Sequence, residues 1–221
     1  MPKDLHLVDK HLHRLKSIYA FGTKASKQKA IVIPPSDKTY VDSLLHGFVK
    51  ENDRFVLVAP VAADSAKTWN PQGFATVCDQ LIGQSDVKVV MVGGLENKAV
   101  MQDIQSRMKH PFLALAGRTN LVQVAELVNR SLFSIVHDSG IMHLASYFDK
   151  QVLALFGPTD PRLSGPWSAN SGYVFKNRGC PRCSDPKVNK PHSCMSQILP
   201  EDVLRCIDIR GSRVILKTIT H

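Results

Sequence analysis

The stretch LFSIVHDSGIMHLASYFDKQVLALFGPTDP, residues 132–161, contains the pattern that decides the fold. The apolar run at 132–136 has the length of a buried strand, and 151–157 is a second run of the same kind. Between them, Gly140 to Phe148 has the apolar spacing of a helix. A strand, a helix and a second strand in this order predict a parallel βαβ unit.

The same alternation continues before this stretch. The apolar runs predict strands over 54–60, 87–94 and 112–115, and the helical spacing predicts helices over 70–82, 96–108 and 121–130. Asn70-Pro71 and Asn120 are suited to begin two of these helices. We therefore predict a single Rossmann-like α/β domain over 51–221, with a doubly wound parallel sheet. After it, we predict a helix from Pro200 to about Ile209, and a strand or tail over 213–220.

Residues 1–50 are predicted to form a helical arm and a linker. Helical spacing places Leu5, Val8, Leu12 and Leu15 on one face of a helix over 4–22, and 23–29 is a polar linker. A second helix is predicted to begin with a cap at 36–37 and to run to about 50. An exposed apolar face favours packing on the domain or on a neighbouring molecule.

The charge of this 221-residue chain is unevenly distributed. The net charge is +9, and residues 1–30 hold seven basic and two acidic residues, whereas 176–190 hold five and one. Such segments fit contact with an anionic surface, although a basic, solvent-exposed surface without a partner explains them equally well. We find neither an apolar run of the roughly 18–20 residues that a membrane span needs nor a secretory leader. We therefore expect a cytoplasmic protein.

The loops after the predicted strands contain most of the small polar residues. They read VAADSAKTWN, GGLE, AGRTN, HDSG and GPTD, and a parallel sheet gathers them at the carboxyl ends of its strands, where ligands bind. HDSG leads into a helix whose first N–H groups favour an anion. A phosphate there could accept hydrogen bonds from Ser139, the backbone and His143. Alternatively, Asp138 only caps the helix and His143 packs against a neighbouring loop.

The loops at the carboxyl ends of the predicted strands are called the rim below. Two further polar residues lie on this rim. Lys67 could be a second phosphate contact or a solvated loop lysine. GGLE does not match the G-x-G-x-x-G dinucleotide fingerprint. Glu96 could accept hydrogen bonds from a ribose diol, or it could complement the dipole of the helix that follows.

Five motifs in order and spacing resemble the carboxyl-terminal half of the heptosyltransferases of lipopolysaccharide core synthesis, in glycosyltransferase family nine. They are AxxxxKTWNPQGFA, VVMVGGLEN, LAGRTNLVQVAELV, HDSGIMHLAS and LALFGPTDP, and the resemblance covers roughly 55–210. It implies the GT-B architecture of two Rossmann-like domains that face a cleft. The second domain of such enzymes holds the nucleotide-sugar donor, usually ADP-heptose.

The resemblance also implies roles for particular residues. Lys67 would contact the diphosphate, Glu96 the ribose, and Thr119 would line the adenine. The phosphates would be surrounded by the motif D-[ST]-G-x-x-H, which here is Asp138, Ser139, Gly140 and His143. One departure concerns two positions where the family often has threonine or serine. They hold Ala62 and Ala63 here, so a hydroxyl contact is lost.

The function implied is that of an ADP-heptose-binding domain of a heptosyltransferase. The catalytic base and the site for the lipopolysaccharide inner-core acceptor would lie in an amino-terminal domain, which we do not expect in this chain. The basic segments allow peripheral contact with the cytoplasmic face of the inner membrane, and we expect no nucleic-acid partner and no cofactor. Two alternatives remain: a non-catalytic nucleotide- or nucleotide-sugar-binding module, and a basic adaptor that uses the fold alone.

The five cysteines do not suggest a disulfide framework, because the number is odd and the predicted compartment is reducing. Cys78 and Cys206 lie in helical patterns and are predicted to be small core residues. The segment CPRCSDPKVNKPHSC, 180–194, could supply three cysteines and His192 to zinc. However, His192 and Cys194 are close in sequence for two ligands of one ion, so we predict no metal site.

Overall fold

The computed structural model describes residues 5–7, 9–10, 31–168, 171–177, 179–184, 192–210 and 213–217. Most of the predicted helix over 4–22 and the whole linker over 23–29 therefore lie outside the described residues. Within the described part of the arm, a ring nitrogen of His6 lies 3.1 Å from the carbonyl oxygen of Gly165. The beginning of the arm thus contacts the domain.

A six-stranded parallel sheet forms the centre of the domain, in the strand order β3-β2-β1-β4-β5-β6. Its strands are β1 (Phe55–Val58), β2 (Lys88–Gly93), β3 (Leu113–Ala116), β4 (Ser134–His137), β5 (Val152–Phe156) and β6 (Gly172–Phe175). The helices are α1 (Pro35–Leu45), α2 (Pro71–Gly83), α3 (Lys98–Arg107), α4 (Leu121–Arg130), α5 (Gly140–Tyr147), α6 (Pro161–Ser164), α7 (Pro181–Ser184) and α8 (Pro200–Arg205).

The predicted βαβ unit is confirmed as β4-α5-β5. Strands β4 and β5 pair in parallel register, from Ser134 with Val152 to His137 with Leu155. Strand β1 pairs with β2 on one side and with β4 on the other. The winding of the sheet therefore reverses between β1 and β4, and the loops that follow these two strands flank the crevice where ligands of such sheets bind.

Helices cover both faces of the sheet, which divides the core into two apolar clusters. On one face, Phe74 and Leu81 of α2 pack with Ile104 of α3 and with Val203 of α8. On the other face, α1, α4 and α5 pack together. Helix α1, which the sequence places with the arm, contributes three residues to this second cluster: Val41, Leu44 and Leu45.

Two of the predicted helix starts are confirmed. The side chain of Asn70 accepts a hydrogen bond from the Gly73 N–H at 2.7 Å, and that of Asn120 accepts one from the Gln123 N–H at 2.9 Å. The cap predicted at 36–37 is wrong, because α1 begins at Pro35, whose fixed φ suits the first helical position. The same helix ends at Leu45, before a turn in which Gly47 has a φ of +81°.

The carboxyl-terminal elements differ from the prediction. Helix α8 ends at Arg205 instead of continuing to Ile209, and β7 (Ile207–Arg210) pairs antiparallel with β8 (Arg213–Leu216). Buried and exposed residues alternate in β8, which is a strand pattern, and the pairing of β7 with it overrides the helical interpretation of 207–209. Among the described residues, no helix has the length and apolar character needed to cross a membrane.

Candidate functional site

An ion pair joins the two loops that flank the switch point, the position between β1 and β4 where the winding of the sheet reverses. Lys67 ends a short 3₁₀ turn after β1, and its Nζ lies 2.7 Å from Oδ2 of Asp138, which follows β4. The same carboxylate oxygen accepts a hydrogen bond from the Thr159 hydroxyl at 2.8 Å, in the loop after β5. Three loops of the rim are therefore fixed to one another through Asp138.

The start of α5 combines a buried hydroxyl group with open space next to it. Ser139 is the N-cap residue, but its side chain makes no capping hydrogen bond. Its Oγ is buried and has no hydrogen-bond partner among the described residues. A Cβ added at Gly140 would meet no atom within 4 Å. Because a helix leaves its first N–H groups without intrahelical acceptors, this end of α5 combines unused donors with room for a ligand.

The structure shows that the Asp138 carboxylate does not cap α5. If Asp138 only capped α5, its carboxylate would accept from the first N–H groups of that helix. Instead, the N-cap position belongs to Ser139, and the Asp138 carboxylate bonds to Lys67 and Thr159. Asp138 thus holds the rim together and leaves the helix start uncapped.

His143 lies one turn into α5 and is half-buried. Its ring stacks on Trp167, with ring centroids 6.5 Å apart and planes at 20°. This contact agrees with the alternative in which His143 packs against a neighbouring loop. Desolvation lowers the pKa of His143, the nearby Asp138 partly opposes that shift, and His6 adds to it. The imidazole is therefore mainly neutral at pH 7.

Glu96 and Thr119 occupy a second part of the rim, beyond β2 and β3. Glu96 is exposed in the 3₁₀ turn Leu95–Asn97, and its carboxylate folds back over Gly94 so closely that a Cβ at Gly94 would collide with it. Thr119 is half-buried in the loop between β3 and α4. Among the hydrogen bonds of the described residues, none joins Glu96 or Thr119 to the Lys67–Asp138 pair.

A cavity of about 480 Å³ opens beside this second part of the rim. It lies between α3 and the edge strand β3, and it reaches Leu95, Gly117 and Arg118 in the loops after β2 and β3. The cavity does not include the residues of the switch point. It is therefore separate from the open space at the start of α5.

Sequence reasoning missed two residues that organise the site. Thr159 lies in the GPTD loop, and the hydroxyl next to an aspartate was the available clue. His137 is fully buried, its Nε2 accepts a hydrogen bond from the Trp69 backbone N–H at 2.9 Å, and burial lowers the pKa of His137 to about 3. This neutral histidine ties the loop after β1, which contains Lys67, to the end of β4.

Comparison with known proteins places the chain among glycosyltransferases. Residues 2–192 match glycosyltransferase family 9 (heptosyltransferase). Lipooligosaccharide heptosyltransferase 2 of Haemophilus influenzae is 30% identical over 113 residues, which are 49% of this chain and 32% of that protein. Lipopolysaccharide heptosyltransferase 3 of Escherichia coli K12 is 30% identical over 155 residues, which are 69% of this chain and 45% of that protein. The chain thus spans between a third and a half of these relatives.

Solved structures show the same fold. A family 9 glycosyltransferase from Veillonella parvula superposes with a TM-score of 0.76 at 24% identity, over 93% of this chain and 60% of that one. The ADP-heptose lipopolysaccharide heptosyltransferase II of E. coli gives a TM-score of 0.64 at 22% identity, over 79% and 51%. The predicted Rossmann-like α/β fold is confirmed by these superpositions and by the parallel sheet.

Proposed function

Because the chain belongs to glycosyltransferase family 9, the heptosyltransferase family, we propose that residues 51–221 form the domain of such an enzyme that binds the nucleotide-sugar donor. Helix α1 covers one face of this domain. The observation that carries the proposal is the buried, unpartnered hydroxyl of Ser139, which lies at an open helix start next to the Lys67–Asp138 pair. Such an arrangement has the donors and the positive charge that a diphosphate requires.

The diphosphate is held by groups from two loops. Lys67 supplies a positive charge from the loop after β1. Ser139 supplies a donor from the loop after β4, and the first N–H groups of α5 and His143 supply donors from the helix that follows this loop. Because the Lys67 side chain is 24% exposed in its pair with Asp138, its ammonium group can bond to a phosphate oxygen without leaving the carboxylate. Asp138 acts as a positioning residue, since its carboxylate would repel a phosphate in direct contact.

The nucleoside part of the donor extends towards β2 and β3. Glu96 is exposed at this part of the rim and can accept hydrogen bonds from a ribose diol, and Thr119 lies where the base would be lined. An E. coli heptosyltransferase of this fold was solved with ADP, and also with ADP-2-deoxy-2-fluoro heptose. Together with the family, these ligands support ADP-heptose as the donor. The side chains named here would recognise its diphosphate and its ribose, and not the heptose.

The reaction proposed for the whole enzyme is displacement of ADP from the anomeric carbon by an acceptor hydroxyl. As the bond to the sugar breaks, negative charge develops on the departing diphosphate. Lys67 and the start of α5 stabilise that charge, which is an electrostatic contribution to catalysis. We assign the base and the inner-core acceptor site to an amino-terminal domain, which would act at the cytoplasmic face of the inner membrane.

The purified chain alone is expected to bind ADP but not to transfer heptose. Half of a two-domain site leaves the acceptor hydroxyl without a base, so transfer should not occur. For ADP we expect a Kd in the micromolar to millimolar range, about −4 to −8 kcal/mol. Calorimetry measures the binding, and release of ADP from ADP-heptose in the presence of an acceptor measures transfer. Transfer by the chain alone at rates typical of enzymes would contradict the division of roles proposed here.

Replacing Lys67 by alanine is expected to weaken ADP binding about ten- to a hundredfold, because a hydrogen bond to a charged group contributes roughly 1.5–3 kcal/mol. Adenosine has no phosphates, so its affinity should not change. Lys50→Ala is the matched control, since Lys50 is exposed and precedes β1 at the opposite end of the strands. Equal losses for ADP and adenosine would show that Lys67 does not act on the phosphates.

Gly140→Ala tests the open space at the start of α5. The added methyl group meets no protein atom within 4 Å, so the melting temperature should stay the same or rise slightly. If the diphosphate occupies this space, crowding should weaken ADP binding about tenfold, which corresponds to about 1.4 kcal/mol. Unchanged ADP affinity in a fully folded variant would place the phosphates elsewhere on the rim.

A further inference from the structure

Four side chains with metal-binding atoms converge outside the donor site. They come from Cys180 and Cys183 at helix α7 and from His192 and Cys194 just before the 3₁₀ turn Met195–Gln197. The three sulfur atoms and the ligand nitrogen of His192 all lie within 4.8 Å of one another. Cys180 and Cys194 are fully buried, and the other two residues are half-buried. These four residues, three cysteines and one histidine, are called the zinc-ligand cluster below.

Three of the six distances between the ligand atoms of the cluster are close to the edges of a tetrahedron around one ion. Zinc binds sulfur at about 2.3 Å and nitrogen at about 2.0–2.1 Å, so the ligand atoms of a tetrahedral site lie about 3.5–3.8 Å apart. The Sγ atoms of Cys183 and Cys194 are 3.7 Å apart. The Nδ1 atom of His192 lies 3.3 Å from Sγ of Cys183 and 3.9 Å from Sγ of Cys180.

The sequence argument against a metal does not hold in the structure. His192 and Cys194 are two residues apart, a spacing that by itself argues against two ligands of one ion. His192 faces the cluster through Nδ1, the ring nitrogen nearer the backbone, and this short reach lets both residues point to the same centre. A disulfide would bring two sulfur atoms to about 2.05 Å, whereas the cysteines here are free thiols.

We propose that Cys180, Cys183, His192 and Cys194 bind one structural zinc ion. Four protein ligands complete a tetrahedral site and leave no position for a substrate, which is the arrangement of a structural and not a catalytic centre. Thiolate ligands favour zinc over magnesium or calcium, which prefer oxygen. The ion would join α7 to the segment that begins at Cys194.

This segment packs directly beneath the loop after β5. A Cβ added at Gly157 would lie 2.6 Å from the sulfur of Met195 and 3.0 Å from that of Cys194, so the side chains of these two residues pack closely against the backbone of Gly157. Two residues later, Thr159 bonds to Asp138. The zinc ion would therefore hold in place the segment against which the loop after β5 packs. It would not contact the nucleotide sugar.

The first test is the metal content of the full chain, purified under reducing conditions without added metal or a metal-affinity tag. Mass spectrometry of the elements should find about one zinc per chain. Cys183→Ser and His192→Ala should each reduce this content at least fivefold, and His192→Cys should restore it by supplying a fourth thiolate. The matched control is Cys206→Ser, because Cys206 lies outside the cluster and its Sγ donates to the Asp202 carbonyl oxygen, as a serine hydroxyl can.

The second test does not depend on variants that could fail to fold. Replacing the metal of the parent chain by Co²⁺ should give the intense near-ultraviolet absorption of cobalt–thiolate bonds and the visible bands of a tetrahedral ion. Zinc added in equal amount should abolish both. The proposal is overturned if the parent chain contains no zinc and gives no cobalt–thiolate absorption, if Cys206→Ser loses metal as fully as Cys183→Ser, or if iron occupies the site instead.

Discussion

Replacing Trp69 by alanine is expected to lower the free energy of unfolding by about 3–5 kcal/mol, the usual cost of deleting a large buried aromatic side chain. Trp69 is 1% exposed, and its ring meets that of Phe74 edge-on with centroids 5.0 Å apart. Its Nε1 also donates to the Ile198 carbonyl oxygen at 2.9 Å, which the variant would leave without this donor. Urea denaturation followed by far-ultraviolet circular dichroism measures the change.

Trp167→Ala is the control for the size of the side chain. Trp167 is 38% exposed, so its loss should cost less, about 1–2 kcal/mol. A loss of that size for Trp69 as well would show that the buried contacts of Trp69 with Phe74 and Ile198 add little to stability.

Acidification from pH 7 to pH 5 is expected to remove about 2 kcal/mol of stability through His137 alone. Burial lowers the pKa of this residue to about 3, well below the ordinary value of 6.5. The unfolded chain therefore binds a proton near pH 6.5, whereas the folded chain does not until a much lower pH. Stability is full above pH 6.5 and falls as the pH drops below it, by up to about 1.4 kcal/mol per unit.

His137→Gln isolates this contribution, since glutamine can accept a hydrogen bond from Trp69 but does not titrate. The free energy of unfolding of the variant should change less between pH 7 and pH 5 than that of the parent, by about 2 kcal/mol. This window lies above the range in which most carboxylates titrate. Parallel pH profiles for the two proteins would mean that His137 is not the acid-sensitive group.

The sheet could be predicted because its strands are continuous apolar runs, and the order of strand and helix then restricts the topology. The helix starts at Asn70 and Asn120 could be predicted for a local reason, since each side chain bonds to an N–H three residues further along. Strand β6 could not, because GYVF is short and begins with glycine. Strand β8 lies within 213–220, for which the sequence allowed a strand or a tail. Strand β7 was assigned to the last helix, because pairing depends on a partner strand, which no single run reveals.

In the candidate site, too, the sequence predicts some features and not others. The motifs indicate Lys67, Ser139 and His143 as residues of one rim, since parallel strands place their loops together. The contacts between loops could not be read from the sequence, because they join residues far apart: Thr159 and Asp138 are 21 positions apart, and Trp69 and His137 are 68. The spacing of His192 and Cys194 argued against a metal site. Spacing alone does not show which ring nitrogen of His192 faces the other three residues of the zinc-ligand cluster.

The stacking of Trp167 on His143 gives the domain an optical reporter of its own. The chain has two tryptophans, and Trp69 is enclosed in the core whereas Trp167 is partly exposed beside the start of α5. A ligand bound at 139–143 would alter the surroundings of one indole and leave the other as an internal reference. A protonated imidazole quenches indole emission more strongly than a neutral one does, so an anion that promotes protonation of His143 should dim the fluorescence of Trp167. Nucleotide binding could then be followed by light emission from the unmodified chain.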